Sequence, residues 1–544
     1  MTSPILKLFS GQAWKRVALR TIRNLNENQQ RKRVLDLYHI LGPVSSSDSQ
    51  LAIVADGLWD NPNHFFRLRL FLEAQPNIAS MKLIGIVRTS GDRTIEVLKT
   101  LGFSQFVMID ENPLYCPSTF AGKAQEMLES VNSHWDLLNL TLPYGVPAYT
   151  FYDTVLKIAK HPHPPLNSPL WAQCLAEFLS YCAIYDALFN SENITQVVLS
   201  HPWKSEYATL FWRALTENKP SYHLTGYCDG IRIRLFKNTD EYSTPIEILS
   251  FDEFLNLPIP VHKKLVENGR QYLTQRESGL SSDINAQYAF HPETRASSKK
   301  ESLKALNIKP GRKLGVIYSH VWFDFPHTYA MKNFTDFQDW IKFTIDIISK
   351  SDDMDWLLKP HPTETWYGGV TLKEMCGDLP PHVHVTPHTT DSLMVLTAAD
   401  VVVTVHGTVG MEAAAHGVPV IAADHNSYEE WGFVHQATSR DNYAELLKAA
   451  HNLPAVTNEQ RERALALISI TMSPMPRECG GLKILCDSSG PQLHKDIVNF
   501  YTNNIDAINC ERTNIGTWQH ESSSSYAVSV KLKHFLDQGL GSHL

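Results

Sequence analysis

The chain is short of the features that mark several large protein classes. Its eight cysteines, Cys116, Cys174, Cys182, Cys228, Cys376, Cys479, Cys486 and Cys510, stand far apart and form no CxxC pair. Neither a disulfide framework nor a zinc ribbon is indicated, and reduced thiols in a cytoplasmic setting are expected. No stretch approaches the roughly 18 apolar residues of a membrane span, and no apolar run near the N-terminus leads to a small-residue cleavage site. Neither a spanning helix nor a signal peptide is therefore expected. Excess base is missing as well: 49 Lys and Arg face 57 Asp and Glu, a net −8, which speaks against nucleic acid as a main partner. Walker A, GxGxxG and HExxH patterns are absent, removing kinase, dinucleotide oxidoreductase and zinc-protease readings. No solenoid or propeller repeat is found.

What is present is globular. With 43% hydrophobic and 19% charged residues among 544, the chain can bury a core in each of two to four domains, at roughly 100–200 residues apiece. The segment 1–45 interleaves Lys7, Lys15, Arg16, Arg20, Arg23, Arg31, Lys32 and Arg33 with Leu8, Phe9, Trp14, Leu19 and Ile22. That is the pattern of an interfacial helix on an anionic membrane surface, peripheral on the inner face, or of a basic helix packed on the protein body.

From Leu51 the sequence alternates short apolar strands with amphipathic helices, the signature of an α/β fold with parallel sheets. The pattern divides into a first Rossmann-like lobe at 46–245, a connection at 246–310 with charge-rich helices, a second, clearer doubly wound lobe at 311–455, and a helical extension at 456–544. Asp56-Gly57, His201-Pro202 and Asp229-Gly230 each follow a predicted strand of the first lobe. Open α/β sheets bind ligands beyond the carboxyl ends of their strands, so these pairs are candidate site residues.

The second lobe carries the more specific signals. In Lys359-Pro360-His361-Pro362 the first proline keeps Lys359 extended and the second removes a backbone donor, so His361 is held at the mouth of the lobe. There it can donate to a phosphate while Lys359 adds a compact positive charge; the competing reading is a structural turn. The run from Thr404 through His406, Gly407, Thr408, Gly410 and Glu412 to Gly417-Val418-Pro419 reads as strand, glycine-bearing loop, helix start and next strand. Gly407 permits close backbone approach, Thr408 is placed to cap the helix, and its first N–H groups suit an anion. Glu412, one turn in, is placed to accept from ribose hydroxyls. His320, Asp324 and His327 follow the lobe's first strand, in a loop expected to touch donor or acceptor. Of the 24 histidines, His382, His384 and His388 have the spacing most open to a metal, but no fourth ligand is in evidence, and neither metal nor other cofactor is called for.

The Lys359–Pro362 turn and the His406–Ile421 segment together resemble the bacterial capsule polysaccharide biosynthesis glycosyltransferases, a group that includes β-Kdo transferases and, more distantly, CMP-sugar sialyltransferases. The likeness is strongest over residues 313–433. It implies a GT-B fold: two Rossmann-like lobes facing a cleft, a nucleotide-sugar donor on the C-terminal lobe, and a polysaccharide or glycolipid acceptor on the N-terminal one. The resemblance further implies that an acid followed by glycine performs the proton or nucleophile chemistry, that the His-Pro binds the donor phosphate, and that a Ser/Thr loop completes the site. Asp229, His361-Pro362 and Thr408 stand in that order here, with Cys228 where the sialyltransferase pattern has a second acid.

Asp229 is thus expected as general base or nucleophile, or alternatively as a turn residue. Asp56 and Asp60 form a second acidic candidate on the acceptor side, and Arg232 and Arg234 suit a sugar carboxylate or phosphate. The expected activity is metal-independent transfer from a nucleotide sugar, CMP-Kdo being one candidate donor, into capsule or other surface polysaccharide. A sugar-nucleotide epimerase, a phosphopolyol transferase and a non-catalytic assembly partner are the alternative readings.

Overall fold

The computed structural model describes residues 35, 43–45, 48–73, 75, 77–225, 232–242, 250–279, 284–329, 331–364 and 369–471. Asp229, nearly all of the basic segment 1–45 and everything beyond Thr471 lie outside the described residues.

Two six-stranded sheets organise the chain. The first holds β1 (Leu51–Asp56), β2 (Lys82–Val87), β3 (Gln105–Met108), β4 (Asn193–Leu199), β5 (Ser221–Thr225) and β6 (Arg232–Phe236) in the order β3-β2-β1-β4-β5-β6. All neighbours are parallel except β5 and β6. The second holds β7 (Leu314–Tyr318), β8 (Asp355–Lys359), β9 (Val383–Val385), β10 (Val401–Thr404), β11 (Val420–Ala422) and β12 (His435–Gln436) in the order β12-β11-β10-β7-β8-β9, parallel throughout. From its β9 edge this second sheet repeats the order of the first. Each sheet therefore reverses direction once, between β1 and β4 and between β7 and β10, and an open parallel sheet binds ligands at that reversal.

The strands form because their residues are apolar on both faces. Every residue of β7, β8 and β10 is buried, as a parallel sheet covered by helices requires. In β7 a side chain at Gly315 would run into the indole of Trp356 on β8, so glycine lets that ring lie across the strand. Helix 337–348 starts at Asp336, whose Oδ1 accepts from the Gln338 and Asp339 N–H groups at 3.0 and 2.9 Å, and its apolar stripe faces the second sheet.

The described parts of 246–310, expected as a connection, pack on the second lobe. Helix Ile259–Glu277 crosses helix Asn458–Thr471 so closely that a Cβ at Gly269 would strike the Leu465 carbonyl. Val261, Leu265 and Leu273 join Leu465, Leu467 and Ile468 in that lobe's core.

The lobes share apolar packing, with Phe151, Tyr152 and Trp171 of the first in one cluster with Trp322, Phe334 and Trp340 of the second. Buried carboxylates pin this contact. Oδ2 of Asp336 accepts from Tyr152 Oη (2.7 Å) and His163 Nδ1 (2.6 Å), while Asp153 accepts from the His327 ring (2.6 Å) and backbone N–H (3.1 Å).

Candidate functional site

Beyond the carboxyl ends of β7, β8 and β10 the loops enclose a cavity of about 380 Å³. Three turns supply its wall: Ser319–Val321 after β7, Pro360–Thr363 after β8, and His406–Thr408 after β10. Arg276 and Phe290 close it from the helices that precede the lobe. Of the residues expected from sequence, Lys359, His361, Pro362, His406, Gly407, Thr408, Glu412, His320 and Asp324 converge on this cavity.

The turn after β8 is held from both sides. The His361 backbone N–H donates to Ser319 Oγ (3.0 Å), which ties it to β7. Nδ1 of His361 accepts from the Thr363 N–H (3.2 Å) and lies 2.9 Å from Thr363 Oγ1. With Nδ1 committed as acceptor, the ring proton sits on Nε2, which makes that edge a donor. Lys359, only 1% exposed, donates to the carbonyls of His388 (3.0 Å) and Pro360 (3.3 Å). Burial draws its pKa down to about 8, against the raising influence of Asp391 and Glu364. Its ammonium is therefore a strong but titratable anion partner.

The turn after β10 is close-packed. Oγ1 of Thr404 accepts from the Gly407 N–H (3.2 Å) and sits 3.3 Å from His320 Nε2; a Cβ on Gly407 would press on that same oxygen at 2.9 Å. At Gly410 a Cβ would collide with the Tyr428 hydroxyl, which donates to the Gly407 carbonyl (2.9 Å). Glycine at both positions is thus required by contact.

Thr408, expected as a capping side chain, is helical in backbone and makes no cap bond; it stands exposed at the cavity rim instead. His320 lies flat on Phe337, centroids 4.4 Å apart and planes at 5°. Burial keeps His320 and His406 neutral, His406 being pushed down to about 3. They are polar packing groups of the wall, not cations.

Further expectations change. Glu412 is not open to solvent: it is buried with Arg276, whose Nε donates to Oε1 at 3.0 Å. Burial raises the Glu412 pKa and Arg276 opposes that rise. The loop of His320, Asp324 and His327 divides. Asp324 reaches the cavity and pairs with Lys157 of the first lobe (2.9 Å), but His327 is buried against Asp153 and serves the lobe contact.

In the first lobe, Asp56 and His201 meet at the β1–β4 reversal. Asp56 is fully buried rather than lining a surface: Oδ1 accepts from the Ser200 N–H and Oδ2 from Ser200 Oγ, both at 2.7 Å. Asp60 is exposed on the following loop. Arg232 and Arg234 lie on the edge strand β6. Arg234 donates to the Glu241 carbonyl (2.9 Å) and stacks on Phe236 (4.2 Å), outside the cavity wall. His382, the first of the three histidines with metal-like spacing, engages the Ile348 carbonyl through Nε2 (3.0 Å). Among the described residues no helix is long and apolar enough to cross a membrane.

Sequence reasoning missed Ser319, Thr363 and Arg276. The first two flank histidines already singled out and were findable by proximity. Nothing in the sequence links Arg276 to Glu412 across 136 positions.

No curated protein matches the chain. Among solved structures, "Thermosulfurimonas dismutans KpsC, beta Kdo 2,4 transferase" is similar at 15% identity and a TM-score of 0.34, over 51% of this chain and 80% of that one. The UDP-GlcNAc 2-epimerase of Neisseria meningitidis bound to UDP-GlcNAc is similar at 10% identity and a TM-score of 0.24, over 84% and 100%. The family comparison reaches the cavity itself: residues 343–468, which contain the turns after β8 and β10, match the family described as "Capsule polysaccharide biosynthesis protein".

Proposed function

We propose that the protein is a glycosyltransferase of capsule or related surface-polysaccharide assembly that draws its sugar from a nucleotide donor held in the second-lobe cavity. One observation carries the reading: Lys359, the Nε2–H edge of His361, and the Thr404–Thr408 turn line a single cavity at the β7–β10 reversal, inside the stretch that matches the capsule family. A cation and preorganised donors placed together suit the charge that develops on a leaving phosphate. Transfer then needs no metal in this reading.

The donor we favour is a CMP-linked sugar such as CMP-Kdo, on the order of Asp229, His361-Pro362 and Thr408 along the chain. The acceptor, a polysaccharide or glycolipid, would meet the first lobe. The basic N-terminal segment is the part that would hold the enzyme to the inner membrane face.

Calorimetry of the purified chain against CMP-, UDP-, GDP- and CDP-linked sugars tests donor binding; a ligand at 100 times its Kd stabilises by about 2.7 kcal/mol, so a thermal shift reads the same event. With acceptor present, one nucleotide released per sugar transferred is expected. An isomerised sugar nucleotide formed without acceptor, a new phosphodiester in the product, or binding without release would each replace this reading.

A further inference from the structure

We infer that His201 is the general base that takes the proton from the acceptor hydroxyl, with Asp56 and Ser200 as the positioning residues that fix its tautomer. The inference rests on the transferase reading above.

The chain of hydrogen bonds leaves one assignment. Ser200 has a single hydroxyl proton, and Oγ gives it to Asp56 Oδ2 at 2.7 Å. His201 Nδ1 lies 3.0 Å from the same Oγ, and with that proton committed, Nδ1 must donate. The ring is therefore the Nδ1–H tautomer, and Nε2 presents a lone pair. Among the described residues Nε2 has no hydrogen-bond partner. Asp56 cannot reach a substrate itself: it is fully buried, and besides both Ser200 bonds it faces the His64 ring, Nε2 to Oδ1 at 3.4 Å.

Packing fixes the ring as well. Trp59 meets it edge-on at 4.6 Å and 83°, and Tyr207 tilts against it at 5.8 Å. The charged and titratable groups that act on it are Asp56, His64 and Lys157 of its own lobe and Asp324 of the other, with His223 beside it on β5. Lys157 and Asp324 are ion-paired, and Asp324 lines the donor cavity. His201 thus stands at the reversal point of the first sheet, within electrostatic reach of Asp324 on the wall of the second-lobe cavity. The residue is exposed to solvent, while desolvation by the groups packed on its ring lowers its pKa, which favours the unprotonated Nε2.

In the transfer step the acceptor O–H proton passes to Nε2 as the hydroxyl oxygen forms its bond to the anomeric carbon. The bond from that carbon to the donor phosphate oxygen breaks, and its electron pair leaves with the phosphate. The imidazolium then returns its proton to solvent.

The test uses the full chain with the nucleotide sugar that the donor panel identifies, and follows transfer against pH together with donor affinity. For His201→Gln we expect transfer to fall about 100-fold or more, the acid limb of the pH profile to disappear, and donor affinity to stay unchanged. Ser200→Ala keeps the imidazole but frees its tautomer, so a smaller fall in kcat and a displaced acid limb are expected, again without change in donor affinity. It also serves if His201→Gln does not fold. Wild-type rate and an intact acid limb in folded His201→Gln, or an unmoved limb in Ser200→Ala, overturn the inference; loss of the limb in Asp229→Asn with its retention in His201→Gln assigns the proton to Asp229. Absence of transfer by the wild-type protein with every donor would instead defeat the transferase reading.

Discussion

His201 and His361, one in each lobe, hold their ring protons on opposite nitrogens: Nδ1 of His201 donates to Ser200 Oγ, whereas Nδ1 of His361 accepts from the Thr363 N–H. One ring therefore offers a lone pair at Nε2 and the other a donor. A donor edge beside buried Lys359 fits an anion, and a hydrogen bond to a charged group contributes about 1.5–3 kcal/mol. His361→Ala should weaken binding of the donor about 10- to 100-fold by calorimetry while the protein stays folded. His361→Gln, which can place an amide N–H near the former Nε2, should recover part of the loss. Unchanged affinity in folded His361→Ala would place the phosphate elsewhere.

The two-lobed α/β architecture was legible because both-face apolar strands such as Leu51–Ala55 and Val401–Val405 have few other structural outlets. The second-lobe site was legible because glycine and proline turns fix residues next to one another in sequence. The roles of Asp56, Glu412 and His327 were not. Each is a polar residue at a strand end, in a loop or in the first turn of a helix, as a ligand-binding residue would be, and each is spent on a partner far along the chain: Ser200, Arg276 and Asp153. Only the tertiary pairing separates a group that meets substrate from one that steadies a neighbour.

Lys359 supplies a pH signature. Burial lowers its pKa to about 8, so its charged form is lost from the free site as pH rises through that value. Donor affinity should decline above about pH 8, since the free enzyme must take up a proton to bind phosphate. In Lys359→Gln affinity should be lower at pH 7 and flat across the same range. Calorimetry at pH 6.5, 7.5 and 8.5 reads both, and an equal decline in the variant would assign the titration to another group.

Arg276 and Glu412 form a buried pair, both side chains under one-tenth exposed. Removing one partner of such a pair leaves an uncompensated charge at a cost of about 3–5 kcal/mol, whereas replacing both costs far less. Arg276→Met should therefore destabilise strongly, and adding Glu412→Gln should return much of the loss. Urea unfolding of the two single variants and the double one gives the coupling; simple additivity would show that the pair does not act as a unit.

Acid sensitivity should come from histidines that the fold keeps neutral. His223 is buried on β5 with Nε2 2.9 Å from the Ser200 carbonyl, so Nε2 carries the proton and donates. Burial, with His201 and Arg234 adding to it, pushes its pKa to about 3. The folded value lies below the ordinary one near 6.5, so between the two the unfolded chain binds a proton that the folded chain refuses, and stability must fall as pH falls through that window. For one such histidine the loss from pH 6.5 to 4.5 is about 2 kcal/mol. His223→Gln keeps an N–H for the Ser200 carbonyl and cannot titrate, so its stability from urea unfolding should lose about that much less over the same interval. An identical pH dependence in the variant would mean that His223 takes up its proton in the folded protein as readily as in the unfolded chain.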